Sequence, residues 1–239
     1  MSLKIAVVGA NGRVGQRLQS LIASADDLEL AAAIGRGDSA IPDCDVYIDF
    51  SSPDGFTQWL AIAVERKTPF LSGTTGLEAE HFAALDEAAA SIAVLHNTNT
   101  SLGVALLNRL ARQAAAVLGD DFDVEIVESH HNQKKDAPSG TAITLTDAVL
   151  EGLGRSREVI EHGRVGMGVR EPASVGVHSL RMGDVVGEHT VHFAGGGERL
   201  AITHAATSRD TFARGALRAS RWLASRGPGR YTIEDAIGL

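Results

Sequence analysis

Apolar residues follow two different rhythms along the first hundred positions. Residues 3–8 form a short apolar run that ends in glycine, the form of a buried parallel strand. Behind it, Val14, Leu18, Leu21 and Ile22 recur at i, i+4, i+7 and i+8, which predicts an amphipathic helix. Residues 28–34 and 45–50 predict a second and a third strand. A helical stripe of Phe56, Leu60, Ala63 and Val64 follows. Short strands at 69–71 and 92–95 flank an alanine-rich helix over 77–90. Strands alternating with helices in this way predict a parallel sheet with helices on both faces.

The rhythm changes after residue 101. A long helix over 102–118 leads into a strand over 123–131, where Val124 and Ile126 alternate with Glu125 and Val127. A helix is predicted over 139–153, and the glycine- and charge-rich stretch 154–174 reads as a loop. Three strand-like runs at 177–182, 186–193 and 199–204 have no helices between them, which favours antiparallel or mixed pairing. A final helix over 211–224 returns to the earlier pattern. The expectation is an α/β protein with a Rossmann-type parallel-sheet domain, residues 1–101 and 210–239. A second, α+β domain with a mixed sheet would span residues 102–209.

Composition narrows the classes. A hydrophobic content of 44% with 22% charged residues fits an ordinary globular protein, and a net charge of −8 argues against a nucleic-acid binder. The one cysteine, Cys44, excludes an internal disulfide framework and fits a reducing compartment. No stretch has the apolar length of a membrane span, and the start runs straight into a strand without a leader-like segment, so the cytoplasm is the expected location. Trp59 and Trp222 fall in helical stripes and read as packing residues.

The first strand runs into Gly9-Ala10-Asn11-Gly12-Arg13-Val14-Gly15 and then into a helix. The spacing is G-x-x-G-x-x-G, a relative of the dinucleotide fingerprint. Gly9 permits the tight turn, Gly12 lets backbone approach a pyrophosphate, and Gly15 lets helix pack on strand. At the end of the second strand, Gly35 stands where an acid would grip the ribose hydroxyls of NADH, and Arg36 follows it. A guanidinium can pair with a 2′-phosphate in two hydrogen bonds, so NADPH is the expected preference, with NADH the other possibility. Two further loops, Gly73-Thr74-Thr75-Gly76 and Asn97-Thr98-Asn99-Thr100, sit where parallel strands should end and ligands bind.

The segment from Glu128 to Thr141 concentrates proton chemistry. It holds His130, His131, Lys134 and Lys135, followed by Pro138-Ser139-Gly140-Thr141, a turn feeding a helix with Ser139 as N-cap. The N–H groups of Gly140 and Thr141 would face an anion. That orients a carboxylate without holding it alone, so Lys134 and Arg209 are expected to contribute. A metal site finds little support, because His189 and His192 fall on opposite faces of one strand and there is no cysteine cluster.

With these pieces in place the chain resembles the 4-hydroxy-tetrahydrodipicolinate (dihydrodipicolinate) reductases. The likeness spans nearly the whole chain. It includes Val7 to Gly15, Asp49-Phe50-Ser51, the Gly73–Leu77 loop, the His130–Thr141 segment, Gly183-Asp184-Val185-Val186-Gly187-Glu188-His189 and the run from Glu198 to His204. The resemblance implies NAD(P)H-dependent reduction of a cyclic imine dicarboxylate in lysine and diaminopimelate synthesis. It implies His130 as proton donor, Lys134 as a second donor or charge stabiliser, and His131, Ser139, Gly140 and Thr141 at the substrate. Cofactor contacts map to Gly9, Ala10, Asn11, Gly12, Arg13, Val14, Arg36, Gly73, Thr74, Thr75, Asn97, Thr98, Asn99 and Thr100. A homotetramer joined through the second domain's sheet is also implied. The chain departs from the pattern in its short loop after the second strand, in Gly35, and in Thr100 where an aromatic is common. A dinucleotide-sensing regulator would not need the segment 128–141. A dehydrogenase of another small dicarboxylate stays open at this point.

Overall fold

A computed structural model describes residues 2–208 and 210–238. The chain runs β1 (Leu3–Val8), α1 (Arg13–Ala23), β2 (Leu28–Ile34), β3 (Val46–Asp49), α2 (Pro53–Arg66), β4 (Phe70–Ser72), α3 (Ala79–Ala89) and β5 (Ala93–His96). It continues through α4 (Leu102–Leu118), β6 (Asp123–His130), α5 (Gly140–Leu153), β7 (Ile160–His162), β8 (Val175–Arg181), β9 (Gly187–Gly195) and β10 (Glu198–Ala206). The last elements are α6 (Asp210–Leu223), β11 (Gly229–Tyr231) and α7 (Ile233–Ile237). Two compact units result: residues 1–102 with 209–239, and residues 103–208.

The first unit is built on a sheet of order β11-β5-β4-β3-β1-β2, every neighbouring pair parallel. Parallel strands covered on both faces must be apolar throughout, and Ile5 to Val8, Val46 to Ile48, Phe70 and Leu71 are buried accordingly. α2 starts where Ser52 accepts from the Gly55 N–H at 3.3 Å with Pro53 in the first turn, and it ends at Lys67 in the left-handed region. Its Phe56, Trp59, Leu60 and Ala63 pack on the sheet with Tyr47, Phe70, Leu85 and Val94. Strand order reverses between β1 and β3, and the loops at the carboxyl ends of β1 to β5 line the edge where such sheets take ligands.

The second unit carries a sheet of order β10-β9-β6-β8-β7, with β7, β8 and β6 parallel and β9 and β10 antiparallel. Alternate residues of each strand share a face. Val124 and Ile126 of β6, Val175 and Val177 of β8, and Val191 and Phe193 of β9 form one core with Leu107, Ala111 and Ala115 of α4 and Leu145, Val149 and Leu150 of α5.

Residues 154–174, expected to be a loop, contain a 3-10 turn at Arg157–Val159 and the edge strand β7. Three half-exposed or exposed residues are too few to show a period, and only pairing with β8 defines the strand. β11 and α7 also escape the pattern: both are short, and β11 follows Gly227 and Pro228.

Candidate active site

The glycine turn forms as the spacing requires. Gly9 lies at φ 80°, where a side chain would be strained and would also run into the Phe50 carbonyl. A Cβ on Gly12 would stand 3.1 Å from the Gly9 oxygen, and one on Gly15 would strike the Gly9–Ala10 backbone. α1 therefore begins with no side-chain cap and no acid in its first turn. An uncapped, acid-free helix start behind a close backbone turn fits a dinucleotide pyrophosphate. Asn11, Gly12 and Arg13 are exposed there, Val14 half-buried and Ala10 buried.

After β2, the Gly35 N–H donates to Asp38 Oδ2 at 2.7 Å, which closes the loop and leaves Arg36 exposed. A Cβ at Gly35 would stand 2.7 Å from Asn11 Nδ2, so an acidic side chain at 35 would need the asparagine to move.

Asp49 ties the loop after β3 to the loop after β4. It is fully buried and accepts from the Ser51 N–H at 3.1 Å, Ser51 Oγ at 2.5 Å, Ser72 Oγ at 2.7 Å and Thr74 Oγ1 at 2.7 Å. Burial pushes its carboxyl up, and the hydroxyl and amide donors oppose that. Gly73 and Thr74 are buried in this web and Thr75 is exposed. In the next loop, Asn97 Oδ1 accepts from the Asn99 N–H at 3.0 Å, and Asn99 Oδ1 from the Ser101 N–H at 2.9 Å. Thr98 is exposed, whereas Thr100 is buried and donates to the Phe212 carbonyl at 2.7 Å. Thr100 thus ties this loop to α6. Cys44 is half-buried, and burial pushes its thiol up to about 11, which suits a packing role.

The second site lies at one end of the second sheet. The face of β6 that buries Val124 and Ile126 carries Glu128 and His130 two and four residues further on. The β6–β8 register sets His130 opposite Arg181, and the β6–β9 register sets Glu128 opposite His189. The apolar core gives way to charge just where α5 begins. Glu128 is fully buried, with His130 Nδ1 at 2.5 Å from Oε2. Arg181 donates to both carboxylate oxygens at 2.9 and 2.8 Å, and the Ser139 N–H donates to Oε1 at 3.1 Å. Ser139 caps α5, its Oγ accepting from the Ala142 N–H at 3.1 Å while lying 3.0 Å from His189 Nε2. The rings of His130 and His189 meet edge to face at 5.2 Å.

Burial would raise the Glu128 carboxyl, but Arg181 and His130 prevail and hold it down at about 2, so it is ionised. Burial depresses His130, Glu128 opposes this, and Lys134 and Arg181 add to the depression. His189 is pushed down to about 4, chiefly by burial and then by His130, so it is neutral at pH 7.

Lys134, expected to face a substrate carboxylate, is paired with Asp136 at 2.9 Å. His131 is half-buried on the same turn, its carbonyl accepting from the Lys134 N–H. Gly140 and Thr141 occupy the first turn of α5 as expected. Arg209 lies outside the described residues. Sequence reasoning misses Glu128, Arg181 and His189 as the neighbours of His130. The period-two spacing of Glu128 and His130 was the available signal, whereas Arg181 and His189 reach them only through strand register.

A parallel sheet with a glycine turn at its switch point, in a chain whose second unit carries a buried carboxylate–imidazole pair, belongs to a pyridine-nucleotide oxidoreductase. Residues 3–100 match the family described as dihydrodipicolinate reductase, N-terminus, and residues 103–237 its C-terminus. The chain belongs to the dihydrodipicolinate reductase family. It is 45% identical to the 4-hydroxy-tetrahydrodipicolinate reductase of Wolinella succinogenes, over 99% of both chains. It is 41% identical to that of Desulfotalea psychrophila, over 99% of this chain and 98% of the relative. Among solved structures, the dipicolinate-bound dihydrodipicolinate reductase of Paenisporosarcina sp. TG-14 shares the fold. Its TM-score is 0.80 at 21% identity, covering 99% of this chain and 100% of that one. A myo-inositol dehydrogenase of Corynebacterium glutamicum is similar in fold at a TM-score of 0.59 and 19% identity, over 99% of this chain and 93% of that one.

Proposed function

We propose that the chain reduces 4-hydroxy-tetrahydrodipicolinate, or the dihydrodipicolinate left when it loses water, to tetrahydrodipicolinate in lysine and diaminopimelate synthesis. The observation that carries this reading is the 2.5 Å His130–Glu128 contact beside the capped start of α5. A proton-handling imidazole next to a helix N-terminus suits a ring that bears carboxylates. In this reading residues 1–101 and 210–239 take the nucleotide through Gly9 to Val14, Arg36, Gly73 to Thr75 and Asn97 to Thr100. Residues 102–209 take the dicarboxylate through His131, Ser139, Gly140 and Thr141.

A reduced nicotinamide, when bound, supplies a hydride to the conjugated ring. His130 then gives the proton that quenches the electron pair left on the ring. Lys134 is the second donor or charge stabiliser, and a substrate carboxylate would compete with Asp136 for its ammonium. The exposed Arg36 supports NADPH over NADH through the 2′-phosphate. Replacing Arg36 by alanine should raise the KM for NADPH about 10-fold or more, the worth of a charged hydrogen bond, and leave NADH within about twofold. Equal losses with both cofactors would remove this assignment.

A homotetramer joined through the second unit's sheet fits the apolar side chains left exposed on that sheet and on the loops flanking β8. Leu180, Met182 and Leu200 are half-exposed, and Val165, Met167 and Val169 almost wholly so. That last segment is anchored to Glu125 by Arg164 and Arg170. A scattering mass of four chains supports the assembly, and a monomer overturns it. Among the described residues no helix is long and apolar enough to cross a membrane; the cytoplasm is the proposed location.

The reaction is tested at the reduced-nicotinamide absorbance band, with substrate made in situ from pyruvate and aspartate semialdehyde. Oxidation that needs both precursors and their condensing enzyme supports the proposal. Oxidation independent of them, or none, overturns it.

A further inference from the structure

Glu128 is an acceptor with every approach taken. His130 Nδ1, both Arg181 terminal nitrogens and the Ser139 N–H surround its two oxygens at 2.5 to 3.1 Å, in a fully buried position. An ionised carboxylate only accepts, so the imidazole must bring a proton to Nδ1. Nε2 is then the nitrogen left to gain and lose the second proton. It lies beside Gly187, where a Cβ would stand 3.0 Å away, so the missing side chain keeps its approach open.

We propose that Glu128 is a positioning residue for the reduction, fixing His130 as the Nδ1–H form and aiming Nε2 at the reduced ring, with Arg181 as its counterweight. This rests on the reading of His130 as proton donor. In the step, the Nε2–H bond of the imidazolium breaks and its electron pair stays on nitrogen. The proton joins the ring's electron pair, and Nδ1–H and the Glu128 carboxylate are unchanged. Water reloads Nε2.

Arg181 binds Glu128 through a two-pronged fork and also donates to the Asp136 carbonyl at 2.6 Å, which ties β8 to the turn after β6. The charged and titratable groups around His130 are Glu128 on its own strand, Arg181 on β8, His189 on β9, and Lys134 with its partner Asp136 on the turn. Glu128 favours the imidazolium, whereas Arg181 and Lys134 oppose it. The two members of the pair therefore act on His130 with opposite sign.

The test follows His130 by nitrogen-15 NMR across pH, alongside the pH profile of kcat/KM. The wild type should be the Nδ1–H tautomer when neutral. In E128Q the tautomer should turn to Nε2–H and the titration midpoint should fall by about one pH unit or more, the lower end of a close charge pair. kcat should fall with KM little changed, and the limb of the profile on the basic side should move the same way. In R181M the midpoint should rise; if that variant does not fold, R181K is read instead and should show a smaller rise. A merely structural role would shift both variants together or neither. A wild-type Nε2–H tautomer, or parallel shifts in the two variants, overturns the proposal. The NMR arm needs no substrate, so failure of the proposed reaction and failure of this pairing are read separately.

Discussion

Replacing Ser139 by alanine removes one oxygen that serves two partners. Its Oγ accepts from the Ala142 N–H at 3.1 Å and lies 3.0 Å from His189 Nε2, in a buried setting. Loss of the cap costs about 1 kcal/mol. His189 Nδ1 already has no hydrogen-bond partner among the described residues, so the variant leaves both ring nitrogens buried and unpaired. That adds about 1–3 kcal/mol, for a total of about 2–4 kcal/mol. Trp59, Trp222, Tyr47 and Tyr231 all lie in the first unit, so intrinsic fluorescence does not report on this change. Amide hydrogen exchange over the first two turns of α5 does. At tenfold per 1.4 kcal/mol, exchange there should quicken by about 30- to 700-fold in Ser139→Ala. Ser139→Thr keeps the hydroxyl and should recover most of the protection. A change under about threefold, or equal losses in both variants, would refute the double role.

Two further predictions follow from the same end of the sheet. Glu128 is held at about 2 against an ordinary 4.5. The stability this contributes is complete above pH 4.5 and is lost as pH falls toward 2, roughly 3 kcal/mol in all. His189 is depressed from 6.5 to about 4, so the folded state refuses a proton the unfolded chain accepts, and stability should begin to fall below pH 6.5. Acid unfolding followed by circular dichroism should therefore show an early limb that His189→Asn diminishes, the remainder coming from the other depressed histidines, His130 among them; a limb of unchanged size in that variant would count against the assignment. In Gly187→Ala the added methyl meets His130 Nε2 at 3.0 Å and Cδ2 at 3.3 Å. Steady-state assay should find kcat/KM lowered about 10- to 100-fold by the displaced imidazole, and wild-type activity would contradict an open approach to Nε2.

Sequence pattern revealed what local periodicity encodes. The parallel strands of the first unit announce themselves because burial on both faces demands continuous apolar runs. The glycine turn and the Ser139 cap declare themselves because few residues meet those backbone demands. What stayed hidden depends on pairing between distant segments. Arg181 meets Glu128 only because β8 lies parallel to β6 in the register that sets it opposite His130. Asp49 ends an apolar strand, and its grip on Ser72 and Thr74 needs the pairing of β3 with β4. The Asp136 partner of Lys134 was near in sequence, but a turn's side-chain pairing has no period to read.

Everything proposed for this site turns on the His130 imidazole supplying the proton for reduction of the ring. Its most direct test is His130→Ala, assayed by oxidation of the reduced nicotinamide with the ring substrate generated in situ. Nucleotide affinity is read separately from reduced-nicotinamide fluorescence. With His130 as the proton donor, kcat should be lower by about 10²- to 10⁴-fold with nucleotide affinity unchanged. A kcat within about threefold of wild type would contradict it.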